Sequence, residues 1–147
     1  LKKYNAAIMT FGSGVNNIGI DCDIPVYELG RINDERFLPI VYSAADIFLA
    51  PSLYDNLPNT VLEAMACGAV PVSSETGGIP DVIDDGINGV LVQPGDISGL
   101  ADGILKVLES QSFRDQLSVN AREKIEGGFS LIKSAELYMR LYLNILR

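Results

Sequence analysis

Short apolar runs alternate with helical patterns along most of the chain. Five runs are nearly continuous in apolar residues and are followed by glycine, proline or polar residues, and they predict strands over residues 6–11, 24–29, 46–50, 70–73 and 89–92. Because these runs do not alternate with polar residues, each strand is expected to be buried on both faces. The pattern therefore predicts an α/β fold in which helices cover both faces of a parallel sheet.

Apolar residues at spacings of three and four predict the helices between and after these strands. Such stripes run from residue 34 to 45 and from 60 to 66, and a short helix or turn is predicted over 79–83. Three further helices are predicted from residue 98, over 112–125 and over 130–146, and we expect all three to serve packing. Without an internal repeat or a linker, residues 1–147 are predicted to form one doubly wound, Rossmann-like domain.

Composition and charge limit the possible functions. The sequence is 48% hydrophobic and 20% charged, which is typical of a globular domain. A net charge of -8 argues against a nucleic-acid or anionic membrane surface, because neutralising many phosphates requires clustered Lys and Arg. No apolar stretch is long enough to span a bilayer and no signal-type segment opens the sequence, so we expect a cytoplasmic protein.

The chemistry available to the chain is restricted by the residues it lacks. Cys22 and Cys67 are too few for a disulfide framework or a zinc site, and both are predicted to be reduced and structural. The sequence has no histidine, so acid-base chemistry must come from carboxylates or from residues outside the chain. We expect no metal and no cofactor.

The most informative segment follows the third predicted strand. Ligands of doubly wound sheets bind beyond the carboxyl ends of the strands, which makes the loops after residues 11, 29, 50 and 73 the candidate sites. The loop after residue 50 leads directly into a helix opened by Thr60, whose free N–H groups and positive dipole end can hold a diphosphate. Asp55 in the loop and Glu63 in the helix can accept hydrogen bonds from sugar hydroxyls.

The same segment also has a purely structural interpretation. Residues 60–63 match a capping box, in which Glu63 accepts a hydrogen bond from the N–H of Thr60. Asp55 and Asn56 would suit an ordinary turn equally well. Local spacing alone leaves both interpretations open.

Two longer stretches of the sequence favour the ligand-binding interpretation. They read DNLPNTVLEAMACGAVPV, starting at Asp55, and ETGGIPDVIDDGINGVLVQPGD, starting at Glu75. An acidic residue, seven intervening residues, a Glu, a run of the type EAMACGxPVV and a Gly-Gly pair resemble the donor-binding domain of GT-B-fold glycosyltransferases of the large group 1, or family 4, class. The resemblance extends from about residue 8 to at least residue 108.

This resemblance implies roles for individual residues. Glu63 would hydrogen-bond the ribose hydroxyls of a nucleotide, Asp55 would face the transferred sugar as the catalytic residue, and Arg31 and Ile32 would lie beside the base. Gly12 would be a further substrate contact, although a simple strand-end turn explains it as well. Further contacts to sugar and phosphate, mostly through the main chain, would come from Asn56, Leu57, Pro58, Asn59, Thr60 and Val61.

The sequence departs from the family pattern at two points. The family usually has Glu where this chain has Asp55, and the shorter side chain retracts the carboxylate by roughly 1.5 Å. The family also keeps an Arg and a Lys that grip the diphosphate, and Lys2 and Lys3 do not lie in that motif. Because the sequence opens at Leu1 with a pattern already under way, we expect the start of this domain and an N-terminal acceptor domain to be missing.

The implied function is that of the C-terminal half of a two-domain, hexosyltransferase-type glycosyltransferase. It would bind a nucleoside-diphosphate sugar and transfer the glycosyl group, with retention, to a glycan or lipid acceptor on the missing domain. That domain could also bring the protein to the inner face of a membrane, and the chain alone would be inactive. The alternative is a non-catalytic, doubly wound interaction module, whereas an incomplete glycine fingerprint, with Asn17 in place of the third Gly, disfavours a nicotinamide-dependent oxidoreductase.

Overall fold

The predicted strands and helices are present in the structure, with small shifts of their ends. The structure, a computed structural model, describes residues 1–13 and 23–146, so that the predictions for Gly14, Asn17 and Cys22 lie outside the described residues. The strands are β1 (Ile8–Thr10), β2 (Val26–Glu28), β3 (Ile47–Ala50), β4 (Val70–Ser74) and β5 (Val90–Val92). The helices are α1 (Leu38–Ser43), α2 (Asn59–Ala66), α3 (Ile79–Val82), α4 (Ile97–Glu109), α5 (Gln111–Gly128) and α6 (Leu131–Ile145), with 3₁₀ turns at Lys2–Tyr4 and Glu35–Phe37.

All paired strands run parallel, which confirms the α/β class. β4 lies between β3 and β5, with Ile47 opposite Val70 and Val72 opposite Val90. β1 pairs with β2 in a second ladder. The sequence predicts one sheet, whereas the described strands form these two separate ladders.

Aromatic side chains connect the two ladders. The ring of Tyr42, in α1, lies edge-on to Phe11 after β1 and to Phe48 in β3, at centroid distances of 5.5 and 5.7 Å. Edge-to-face geometry at this distance is favourable beyond the apolar area it buries. The two ladders are thus joined by side-chain packing at α1, which a strand pattern in the sequence does not report.

The core lies on both faces of β4, all of whose residues are buried. Val70 and Val72 share one face of the strand and cluster with Leu100 and Val107 of α4. A second buried cluster combines Ala50 of β3 with residues of α2, α3 and α5, among them Val61, Met65, Ile79 and Ala121. Each fully buried side chain of this size contributes roughly 1.5–3 kcal/mol to stability. This packing holds the carboxyl ends of β3 and β4, and the loops that follow them, in fixed positions.

The last helix departs from its predicted packing role. α6 has no buried residue, and its apolar side chains include Leu131 at 89% and Leu146 at 83% exposure. The prediction that α6 packs against the domain is therefore wrong for the described part of the chain. Among residues 1–13 and 23–146, no helix is both long enough and apolar enough to cross a bilayer.

Candidate functional site

Two loops meet at the carboxyl edge of the three-stranded sheet. One joins β3 to α2 and contains Asp55, and the other follows β4 and contains the Gly77-Gly78 pair. The N–H of Gly78 donates a hydrogen bond to the carbonyl oxygen of Asn56. The hydroxyl of Thr76 donates to the carbonyl oxygen of Leu53 at 3.4 Å. The second loop therefore braces the first along its length.

The brace requires glycine at position 77. Gly77 has a φ of +55°, and a Cβ atom on it would overlap the carbonyl oxygens of Asp55 and Asn56. Both the left-handed conformation and the close approach exclude a side chain. Gly77 thus has a packed position behind the backbone of Asp55.

The start of α2 differs from the capping box. The helix begins at Asn59, and its N-cap is Pro58, which has no side chain able to accept a hydrogen bond. The N–H of Val61 donates to the carbonyl oxygen of Pro58 at 3.1 Å. Among the described residues, the N–H groups of Asn59 and Thr60 have no hydrogen-bond acceptor, and both residues are exposed. Two donors at the positive end of a helix dipole are thus open to solvent.

The carboxylate of Glu63 accepts a hydrogen bond from another helix, α1, rather than from the backbone of its own helix. The hydroxyl of Tyr42 donates to Oε2 of Glu63 at 3.0 Å, whereas the residue as a whole stays exposed. Tyr42 itself is only 2% exposed. Burial raises the pKa of the Tyr42 phenol well above its usual range, and the hydrogen bond to Glu63 raises it further. The phenol therefore keeps its proton and acts as the donor.

Asp55 has a fixed backbone and a free side chain. Its carbonyl oxygen lies against Gly77, but no described residue forms a hydrogen bond or an ion pair with its exposed carboxylate. A carboxylate in this state can accept hydrogen bonds from an incoming hydroxylated ligand. Along the chain, the exposed residues Asp55 and Glu63 thus precede and follow the open N–H groups of α2.

Three other predicted contact residues are Leu57, Val61 and Gly12. Leu57 is half-buried against the core and the side chain of Val61 is fully buried, so any contact that Val61 makes with a ligand is through its backbone. Gly12, two residues after β1, has a φ of +126°, and its N–H donates to the carbonyl oxygen of Gly30 at 2.9 Å.

The segments that follow β1 and β2, at Gly12 and Gly30, are linked to α2 through aromatic packing. Arg31, exposed, and Ile32, half-buried, follow Gly30 directly. Phe11 precedes Gly12 and contacts the ring of Tyr42, which in turn binds Glu63. Tyr42 therefore joins the segment around Gly12 to Glu63 of α2. The apolar stripe over residues 34–45 indicated only a core role for it.

Lys3, near the start of the chain, and one surface depression lie away from the candidate site. Lys3 pairs with Glu109 of α4 at 3.4 Å, not with the loop around Asp55. A depression of about 240 Å³ lies beside the amino end of β3, where Arg114 and Asp46 approach each other to 3.4 Å. This is the edge of the sheet opposite the two loops. At the candidate site itself, Asp55, Asn59 and Glu63 are exposed.

Comparison with known proteins confirms the family resemblance. The family model of glycosyl transferases group 1 matches residues 26–124, which include both loops and α2. The D-inositol 3-phosphate glycosyltransferase of Saccharomonospora viridis is 34% identical over 139 residues, covering 89% of this chain and 32% of the relative. The N-acetyl-alpha-D-glucosaminyl L-malate synthase of Bacillus anthracis is 33% identical over 103 residues, covering 70% of this chain and 27% of the relative.

Solved structures show the same architecture. The sucrose-phosphate synthase from Thermosynechococcus elongatus matches with a TM-score of 0.72 and 31% identity, over 81% of this chain and 31% of that one. HepE of Anabaena, solved in complex with UDP, matches with a TM-score of 0.75 and 24% identity over 81% of this chain and 32% of that one, a likeness of fold. The chain spans about a third of the length of the proteins it matches.

Proposed function

The chain belongs to the glycosyl transferases group 1 family, and from this premise we propose that it binds a nucleoside-diphosphate sugar between Asp55 and Glu63. In this proposal the chain is part of a hexosyltransferase-type enzyme. It takes part in transfer of the glycosyl group with retention of the anomeric configuration. The observation that carries the proposal is the pair of open N–H groups at the start of α2, in a loop-helix segment that also carries the exposed residues Asp55 and Glu63.

The diphosphate would bind at the start of α2. The N–H groups of Asn59 and Thr60 point out of the first turn without a described acceptor, and that turn contains no acidic residue. Phosphate oxygens gain both from these donors and from the positive end of the helix dipole. Pro58 assists because it leaves no capping side chain to compete for the donors.

The ribose would bind one turn along the helix. Glu63 lies three residues after Thr60, about 4.5 Å further along the helix axis. A ribose linked to the diphosphate can reach that distance. The carboxylate of Glu63 accepts one hydrogen bond from Tyr42 and has remaining lone pairs for ribose hydroxyls. Arg31 and Ile32, in the segment that follows β2, would contact the base.

Asp55 would face the transferred sugar. A transition state with positive charge at the anomeric carbon is stabilised by a nearby carboxylate, and a covalent route would need the same carboxylate as nucleophile. Both routes require the carboxylate close to that carbon. The brace from Gly77 to the backbone of Asp55 supports such positioning.

The donor class is supported by the relatives. HepE of Anabaena was solved with UDP-glucose as well as with UDP. No metal is needed for the proposed contacts, since the helix start supplies the groups that bind phosphate. The acceptor, a glycan or a lipid, would bind outside the surfaces described above.

Calorimetric titration with UDP-glucose, GDP-mannose and ADP-glucose tests the proposal. We expect one of them to bind and both Asp55→Ala and Glu63→Ala to weaken it by about tenfold or more, as for loss of hydrogen bonds to a charged group. Asp102→Ala and Glu123→Ala, at exposed positions of α4 and α5, are matched controls that should leave affinity unchanged. Unchanged affinity in both site variants would show that the assignment of Asp55 and Glu63 is wrong. No binding of any donor would favour a non-catalytic interaction module.

A further inference from the structure

Tyr42 and Glu63 form a contact that links a rigid buried ring to an exposed carboxylate. They lie on different helices, 21 residues apart in sequence, and their side chains meet at 3.0 Å. The ring of Tyr42 is held edge-on by Phe11 on one side and by Phe48 on the other. Ala64 and Ala69 complete the buried cluster around it.

We propose that Tyr42 is a positioning residue that orients the Glu63 carboxylate for the ribose hydroxyls of the donor. This inference rests on the proposed function. Tyr42 does not touch the ligand, because its ring and hydroxyl are enclosed by the protein. It acts through Glu63, the residue that would contact the ribose.

The argument begins with the freedom of the glutamate. An exposed Glu side chain samples many rotamers, and binding a ligand with it requires that freedom to be lost. A preorganised side chain loses less on binding and therefore binds more tightly. The hydroxyl of Tyr42 supplies this preorganisation, since its ring is buried and packs against Phe11 and Phe48.

The hydrogen-bond inventory fits this role. Tyr42 donates to Oε2 of Glu63, and no other described group donates to this carboxylate. The carboxylate has about four lone-pair sites, so one bond to Tyr42 leaves capacity for both hydroxyls of a ribose. Because burial keeps the phenol protonated, the donor direction is fixed and the carboxylate always acts as acceptor.

A structural explanation competes with this one, because a buried phenol needs a partner wherever it lies. The two explanations differ in what they predict for the ligand. If the role of Tyr42 is structural, Tyr42→Phe lowers stability, and any effect on nucleotide affinity does not depend on the ribose hydroxyls. A positioning role makes the effect of Tyr42 depend on the presence of those hydroxyls.

The experiment compares two nucleotides in two proteins. Calorimetry with UDP, GDP and ADP first identifies the one that binds the wild-type chain most tightly. That nucleotide and its 2′,3′-dideoxy form are then titrated into wild type and Tyr42→Phe, a variant that keeps the ring and its packing. Tyr138→Phe, on the exposed helix α6, is the matched loss of a phenol hydroxyl. Glu63→Ala, which removes the acceptor of the Tyr42 hydroxyl, alone and combined with Tyr42→Phe, tests whether the two residues act together.

We expect Tyr42→Phe to weaken the ribonucleotide about three- to tenfold, which is the size of one modest hydrogen bond. Its affinity for the dideoxy form should not change, Tyr138→Phe should affect neither nucleotide, and Tyr42→Phe should have no further effect in the Glu63→Ala background. Equal weakening of both nucleotides, no weakening of either, or a wild type that does not distinguish them would overturn the inference.

Failure of the proposed function looks different. If the wild type binds none of the three nucleotides, the donor site itself is absent and the role of Tyr42 falls with it. If the wild type binds and Glu63→Ala weakens the ribonucleotide while Tyr42→Phe does not, only the positioning role is rejected. Unfolding of each variant by urea confirms that the compared proteins are folded.

Discussion

The α-carbon of Gly77 lies directly against the carbonyl oxygen of Asp55. The loop after β4 thereby sets the position of the loop after β3, and with it the one candidate catalytic carboxylate. The contact joins two segments that are separated by 22 positions in the sequence but are adjacent at the sheet edge, because β3 and β4 pair in parallel.

Gly77→Ala should therefore damage both stability and donor binding. The added methyl group cannot fit between the two loops, and we expect the free energy of unfolding to fall by about 2–4 kcal/mol. Affinity for the donor nucleotide sugar should fall as well, because the loop around Asp55 must move. Urea unfolding and calorimetric titration measure the two effects.

Gly86→Ala is the matched control. Gly86 also has a positive φ, +70°, but a Cβ atom on it would meet nothing within 4 Å. It should lose only the conformational part, about 1 kcal/mol, and keep full affinity. Equal losses in the two variants would show that close packing behind Asp55 is unimportant.

The N–H group of Asn59 provides a direct test of diphosphate binding. Asn59 is the first residue of α2, a position where proline is tolerated, and the preceding Pro58 already has the extended conformation that proline requires before it. Asn59→Pro removes the N–H and should weaken UDP, or whichever nucleoside diphosphate binds, about tenfold. Asn59→Ala keeps the N–H and should bind nearly as well as wild type in the same titration. Similar affinities of the two variants would argue against a phosphate at this helix start.

Alkaline pH should reveal the buried phenol of Tyr42. Burial raises its pKa above the ordinary value of 10.0, with a further contribution from Glu63. The unfolded chain thus loses this proton at lower pH than the folded chain does. The stabilisation is complete below about pH 10 and is lost above it, by at most about 1.4 kcal/mol per pH unit.

Urea unfolding of wild type and Tyr42→Phe between about pH 8 and pH 11 measures this effect. At the lower end the wild type should be more stable by about 1–2 kcal/mol, the contribution of a hydrogen bond to a charged group. The difference should shrink above about pH 10, because only the wild type must keep the phenol protonated. Tyr54→Phe, which removes a 93% exposed phenol, should follow the wild type throughout. A constant difference across the range would contradict the assignment.

The 147-residue chain should transfer no sugar on its own. The acceptor is proposed to bind outside this chain, so that a donor can bind here without a second substrate beside it. Incubation with the donor that binds and with glycan or lipid acceptors should give no glycosylated product. Measurable transfer would place the acceptor site within these residues.

Much of the fold and of the site could be predicted from the sequence, because the signals are local. Strand runs such as residues 70–73 and the order of strand, loop and helix around Asp55 follow from apolar patterning and turn residues. The family motif placed Glu63 and Asp55 on one loop-helix unit, and the structure has them there. Their contacts with substrate stay predictions.

Other features depend on contacts between distant segments, and the sequence could not supply them. The capping box is not formed, because the N-cap is Pro58, two residues before Thr60, and the carboxylate of Glu63 accepts a hydrogen bond from Tyr42 instead. The role of Gly77 depends on a loop from another strand. The packing role predicted for α6 came from its apolar stripe, which says that a face is apolar but not what covers it.

The central claim is that a nucleoside-diphosphate sugar binds at the start of α2, and NMR titration of the nitrogen-15-labelled chain tests it most directly. UDP-glucose, GDP-mannose and ADP-glucose are added in turn to millimolar concentration, at which even weak binding shifts backbone amide signals. The account predicts that one donor shifts the amides of Asn59 and Thr60 most, followed by those of Asn56 and Glu63. Absence of shifts with all three donors, or shifts centred on Asp46 and Arg114 at the opposite edge of the sheet, would contradict it.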